Sequence, residues 1–237
     1  MTRSTTYRLY LDHGPKRKTT MVHVIDLMGC IANAGTTEEA LGQTPDAIRR
    51  FARFLGARGD AIDPQAPFET TIAEEITEGM WLGQGIAVFG PDHDPVSRKA
   101  LERLVDRHGW IREATLDLVG DLRSKELAAQ PAKGRPIESI LHHVYGADGG
   151  YLSSGLASNR SYNRLGREAE AGEVDVRVAL AEGARLFAED LRGATPAQLK
   201  AVIPRGRSIG SVNRTLRRAL EHGWEHLREL ERRLGVD

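Results

Sequence analysis

The feature that most constrains this chain is a change of hydrophobic period near residue 95. Before it, apolar residues fall in short runs rich in β-branched and aromatic side chains. After it, they recur at spacings of three and four. A period near two marks a strand and one near 3.6 marks a helix. The expected fold class is therefore α+β. A small sheet-plus-helix unit is expected over residues 1–77, a packed linker over 78–95, and an up-down four-helix bundle over 96–237.

In the first stretch, "TYRLYLDHG" and "TTMVHVIDL" read as strands of a hairpin closed by "GPKRK", and "CIANA" reads as a third strand after the Met28-Gly29 turn. The segment from Gly35 switches to helical spacing, with Leu41, Ile48, Phe51, Ala52 and Leu55 on one stripe and Thr36 with Glu39 as a capping box. Pro45 predicts a kink or a fresh start one turn in. "PFETTIAEEIT" reads as a strand returning to the sheet. The linker is glycine-rich but carries Trp81 and Phe89, so it is expected to pack.

Beyond it, Asp94 as N-cap with Pro95 in the first turn predicts a helix to about residue 126. Others are expected from about 136 to 156, from 174 to 191, and from Ser211 to Leu234, with a short extra helix at "TPAQLKAVI". No strand is expected after Asp94. The arginine-rich segments "GLASNRSYNRLGREAEAGE" and "PRGRSIGSVNRTLRRAL" read as solvated surface.

Charge excludes some partners. Thirty-three basic residues balance thirty-three acidic ones, so no global field gathers nucleic acid or anionic lipid. No apolar run approaches the roughly 20 residues that span a bilayer, and the first residues lack the apolar core of a signal peptide. Cys30 is the single cysteine. It forms no internal disulfide and is expected to be buried and inert in a reducing, cytoplasmic setting. "WLGQGIAVFG" lacks the lysine of a phosphate loop.

The histidines carry the chemistry. His222 and His226 stand one turn apart in "LEHGWEHLREL", where i and i+4 share a face and can reach one ion. The stripe Leu216, Ala219, Leu220, Gly223, Leu227, Leu230 and Leu234 places both at the margin of the buried face, with Glu225 pointing away. Gly223 leaves room for a ligand or a close helix. In "SILHHVYGADGGYL", the stripe of Ile137, Ile140, Leu141, Val144, Ala147, Asp148 and Tyr151 puts His143 on its flank and His142 nearly opposite, in solvent. Three neutral imidazoles and a water would make a site with one open position, as in catalytic zinc centres; nickel or iron also accepts such ligands. Simple packing would use the same residues. His108 lies on its own helix stripe and reads as a hydrogen-bonded core histidine or a fourth ligand. His13, His23 and His93 read as structural. Asp148 reads as a satisfied helix carboxylate or an acceptor behind the metal, and Tyr145, Tyr151 and Trp224 as core or pocket lining.

The stretch from about 96 to 234, with "LHHVYGADGGYL" on one helix and "ALEHGWEHLREL" on the last, resembles the DinB family of bacterial four-helix metalloproteins. The resemblance implies a divalent metal on His143, His222 and His226, and either a hydrolase or a thiol-dependent transferase acting on a small molecule. The N-terminal stretch is similar to HicB-type antitoxin domains through Gly29, Cys30, Gly35, Thr37, Glu38, Glu39 and Ala40. Met28 stands where that family has proline. This resemblance implies a recruitment or dimerisation module, and both families imply a homodimer. The competing class is a non-catalytic regulatory protein in which the metal staples the bundle; a fourth protein ligand such as His108 would favour it.

Overall fold

A computed structural model describes residues 5–14, 18–60, 62–77 and 87–236. The chain divides into two compact units, Met1–Asp92 and His93–Asp237.

The first unit is a four-stranded sheet with one helix. Strands β1 (Thr5–His13), β2 (Thr20–Val24) and β3 (Cys30–Ala34) pair antiparallel, and β4 (Phe68–Ile76) joins the other side of β1 in parallel, giving the order β3-β2-β1-β4. A parallel partner needs a crossover, and helix α1 (Thr37–Gly56) supplies it. Gly29, at φ 107°, makes the reversal into β3 that side chains disfavour. The capping box forms as the sequence predicts: Thr36 accepts from the Glu39 amide, and Glu39 returns a bond to the Thr36 amide. Ala40, Ile48, Phe51, Ala52 and Leu55 are buried on α1, which packs on β2 and β3.

The expected break at Pro45 does not occur, because α1 runs through it. Pro45 is exposed, so the carbonyl it leaves unpaired can bond water, and Thr44 Oγ1 bonds the Ala40 carbonyl at 2.8 Å beside it. Of the expected linker, residues 78–86, with Trp81, lie outside the described residues. Phe89 is buried against the rings of Tyr10 and His23. Cys30 is buried and unbridged in β3.

The second unit is helical. Four long helices, α2 (Arg98–Val119), α4 (Ile137–Gly155), α6 (Val176–Gly193) and α7 (Val212–Leu234), surround one core. Around the ring, α2 touches α7 and α6, and α4 touches the same two. Two short helices, α3 (Ser124–Leu127) and α5 (Arg160–Glu170), lie in the connections.

The alternating up-down order expected from sequence does not hold. Tyr145 of α4 packs at Gly183 of α6, and Asn159, just past α4, bonds Asp190 further along α6, so these helices run parallel. The helix α5 causes this, since it carries the chain back along the bundle before α6 starts. Its arginines hid it in the sequence. Asn159 caps it by accepting from the Tyr162 amide at 3.0 Å, and Tyr162 and Ala169 anchor it in the core. In contrast, α7 runs antiparallel to α4: Thr215 bonds the Tyr151 carbonyl at 2.9 Å near its start, and His222 and His226 meet His143 further on.

Three other boundaries differ. The Ser97 side chain, not Asp94, caps α2, because the Val96 amide is already bonded to the Leu199 carbonyl and keeps the preceding chain extended. That helix stops at Val119 rather than near 126, and Arg177 takes the carbonyls of Gly120 and Leu122 beyond its end. Strands do recur after Asp94: β5 (Ile203–Arg205) and β6 (Ser208–Gly210) form a small hairpin, turned by Gly206 at φ 63°. At "TPAQLKAVI" the extra turn is 3-10 and covers Gln198–Lys200.

The arginines of α7 are not a solvated face. Arg214, Arg217 and Arg218 are buried, with Arg217 and Arg218 at 3.0 Å and 3.5 Å from Glu221, itself buried. Among the described residues, no helix is long and apolar enough to cross a membrane.

Candidate metal centre

Helix α7 places His222 and His226 one turn apart, and its antiparallel neighbour α4 brings His143 to them. The Nε2 atoms of His222 and His143 are 2.9 Å apart, and those of His226 and His222 are 3.1 Å apart. One nitrogen from each ring lies within 4.8 Å of the others. Nitrogens about 2.0–2.1 Å from one tetrahedral ion sit about 3.3 Å from each other, so the donor set fits a single divalent cation. The three rings meet edge to face, with centroids 4.5 to 5.1 Å apart. His222 is 6% exposed and His226 9%, whereas His143 is open to solvent at the edge of the bundle.

Burial, more than any neighbour, keeps these rings neutral. It lowers the pKa of His222 to about 2, with the charges of His226 and His143 adding to the effect. It lowers His226 to about 4 against the opposing pull of Glu229, and it lowers His143 together with the Arg135 charge. A neutral imidazole has a free lone pair, which ligation requires.

Glu229 was not singled out from sequence. It stands one turn beyond His226 and lies 2.8 Å from its Nδ1, so it accepts a hydrogen bond from Nδ1–H and leaves Nε2 as the free lone pair. Arg233 bonds the other carboxylate oxygen at 2.6 Å. The His-x-x-Glu spacing was the available signal, but it lies in a run of charged residues that reads as an ordinary helix surface.

No protein-family model matches the chain, and no curated protein matches it. Among solved structures, the chain is similar to one described as YfiT from Bacillus subtilis, a probable metal-dependent hydrolase with an unusual four-helix bundle topology. That likeness has a TM-score of 0.44 with 16% identity, and covers 60% of this chain and 91% of that one.

The remaining candidates separate cleanly. His108 does not join the three rings: its Nε2 lies 2.8 Å from Asp148, in the core. Asp148 also holds Arg112 at 2.7 Å, which makes it a paired helix carboxylate. Gly223 admits a close helix, since a Cβ there would press on Ile111 and on the Arg112 guanidinium. His142 is half-buried and His143 is the more exposed of the two, the reverse of the reading from the α4 stripe. That stripe omitted Tyr145 and Leu152, which are buried and turn the core side of α4 away from His143. His13 bonds Thr20 and Glu75, and His23 is buried beside Phe89. Tyr145 is core: it stacks on Tyr162, and each hydroxyl donates to the other residue's carbonyl. Tyr151 is half-buried, with its ring 6.0 Å from that of His222, and Trp224 is buried. Among the described residues, no other group of three His, Cys, Asp or Glu side chains converges in this way.

Proposed function

We propose that the helical unit is a DinB-like metal-dependent enzyme, a hydrolase or a thiol-dependent transferase, with His143, His222 and His226 as ligands of a zinc or nickel ion. The convergence of three neutral Nε2 atoms carries this reading. Its catalytic form is favoured over a structural staple by the exposure of His143, which leaves one side of the cluster toward solvent, and by the pairing of His108 with Asp148.

Bound there, a divalent ion supplies a Lewis acid that brings the pKa of a water or thiol at its open position toward neutrality. This chain's own part is to aim the lone pairs and to limit solvent. Glu229 fixes the tautomer of His226. Burial of His222 and His226 withholds protons that would compete with the ion. The half-buried Tyr151 ring walls one side of His222.

Metal analysis of purified protein offered zinc or nickel tests the reading, beside a His222→Ala/His226→Ala variant. One ion per wild-type chain and none in the variant is the expected result. Equal uptake by both removes the site. With metal bound, a screen of hydrolysable esters and amides and of low-molecular-weight thiols separates the two reaction classes.

For the first unit we propose a HicB-like recruitment or dimerisation role. Supporting it are the Gly29 reversal before Cys30 and the Thr37-Glu38-Glu39-Ala40 start of α1, which follow the pattern of that family. Light scattering on the full chain tests the dimer, and a monomeric mass at micromolar concentration would exclude it.

A further inference from the structure

Helix α7 carries a buried guanidinium one turn before its two candidate ligands, and the proposed activity gives it no part. Arg218 and His222 stand at i and i+4, so they share a face of α7 about 6 Å apart along its axis. Tyr151 of α4 lies against both. Its ring is 6.0 Å from that of His222, its hydroxyl is 3.5 Å from Arg218 Nη2, and Arg218 Cζ is 5.7 Å from its ring centroid. Arg218 and His222 are each 6% exposed, so they lie at one depth beside the half-buried tyrosine. Between His143 and Tyr151 at helical spacing comes Ala147, half-buried, whose methyl group fills less of the seam between α4 and α7 than a longer side chain would.

The Arg218 charge is poorly met within the chain. Arg217 holds Glu221 Oε2 at 3.0 Å, while Arg218 Nη1 reaches the same oxygen only at 3.5 Å, the outer limit of a hydrogen bond. Glu225, two turns along α7, adds a more distant negative charge. On the other edge of the guanidinium, Nε is buried with no hydrogen-bond partner, and Nη2 has its long contact with the Tyr151 hydroxyl. Nε and Nη2 are donors that grip a carboxylate side by side. Among the described residues, the Tyr151 hydroxyl makes no shorter bond than this one.

We propose that the Nε–Nη2 fork of Arg218 and the Tyr151 hydroxyl form an anion subsite for the carboxylate of a small substrate or cosubstrate. The atom that reaches the open position beside His222 then stands roughly three or four bonds from that carboxylate, to match one helical turn. One guanidinium with one hydroxyl suits a single negative charge better than the higher charge of a phosphate. The inference rests on the three-histidine reading of the site and adds a substrate class to it, small carboxylic acids.

The test uses the full chain loaded with cobalt(II), which reports a bound thiolate by its absorption, and compares 3-mercaptopropionate with its neutral amide. In wild type the carboxylate is expected to bind at least about tenfold tighter than the amide. Arg218→Met should remove that ratio while still binding one cobalt per chain, and Arg218→Lys should restore part of it. Tyr151→Phe should reduce the ratio without removing it. A guanidinium that only supports the fold would weaken both thiols alike and leave the ratio unchanged. Equal affinities for the two thiols in wild type, which need no variant to measure, overturn the inference alone, as does a preference that survives Arg218→Met. Wild type that takes up no cobalt overturns the site, and this inference with it.

Discussion

The bundle contains two histidine clusters built from the same helical spacing, one buried and one open to solvent at His143, and they are arranged in opposite ways. On α2, His108 and Arg112 at i and i+4 close on one carboxylate; on α7, His222 and His226 at i and i+4 close on another imidazole. In the first cluster the negative charge of Asp148 is met by a guanidinium, and His108 lies flat on Phe187 with ring centroids 4.2 Å apart. In the second, the Nε2 atoms meet each other with no carboxylate between them, and the acid sits behind, on the Nδ1 of His226. Burial lowers the pKa in both. What distinguishes the candidate ligand set from the salt-bridged core is thus the direction of the nitrogens and the position of the carboxylate.

The largest effect that would break this contrast is on metal uptake. His222→Ala/His226→Ala should abolish zinc binding, while His108→Gln should still bind one ion per chain by titration. Loss of stoichiometric binding in His108→Gln would mean that the two clusters are one site. Next comes stability. Asp148→Ala leaves Arg112 buried without a counter-charge, so urea unfolding should show a loss of about 3–5 kcal/mol. His226→Ala, at the 9% exposed margin, should cost clearly less in the zinc-free protein.

The pH dependence sharpens the same comparison, because the histidines of both clusters, His108 included, resist protonation below 6.5, and only the α2 cluster adds a carboxylate that fails at more acid pH. A histidine whose folded pKa is depressed is neutral in both states above 6.5, and so contributes nothing there. As pH falls below 6.5 the unfolded chain takes up the proton and the fold does not. Stability drops by up to about 1.4 kcal/mol per unit for each such ring until the folded pKa is reached. For His226 that window runs from 6.5 to about 4, and for His222 to about 2. The depressed Asp148 has the opposite sign: it stabilises the fold above its ordinary 3.8, and this is lost between 3.8 and about 2. Zinc-free wild type should therefore lose stability already between pH 6.5 and 4.5, with His222→Ala/His226→Ala showing a shallower slope there. Identical slopes would show that the α7 rings protonate freely.

The α7 pair of the histidine triangle was legible in the sequence because helical spacing fixes which residues share a face. The i, i+4 rule paired His222 with His226, but the α4 stripe had the exposures of His142 and His143 reversed, so helical spacing alone does not account for His143. What the period could not carry was the order of helices in space. Parallel α4 and α6 follow from α5, whose anchor Tyr162 is one aromatic among arginines, and which closes on α4 only because Gly166 and Gly183 admit the Tyr145 ring. A glycine shows where a side chain is missing, not which ring will fill the place. Arg217, Arg218 and Glu221 misled for a related reason: charge at helical spacing reads as solvated face, and their burial as an ion-paired group depends on tertiary context. Glu229 escaped notice because its role exists only once His226 is known to turn inward.

The smallest expected effect tests whether the carboxylate behind the α7 cluster differs in kind from the one behind α2. Glu229 and Arg233 are each 25% exposed at the bundle edge, whereas Asp148 and Arg112 are almost wholly buried. Glu229→Gln keeps an oxygen for the His226 Nδ1 proton and removes only the charge, so zinc affinity should fall about tenfold, at the low end for such partners. A charge partly in water is screened by salt and a buried one is not. The Glu229→Gln defect, read as the ratio of zinc affinities, should therefore shrink between about 0.05 M and 0.5 M sodium chloride, while the Asp148→Asn defect, read as loss of stability, stays constant. Equal salt sensitivity in both variants would place the two carboxylates in the same electrostatic environment and remove the distinction between edge and core.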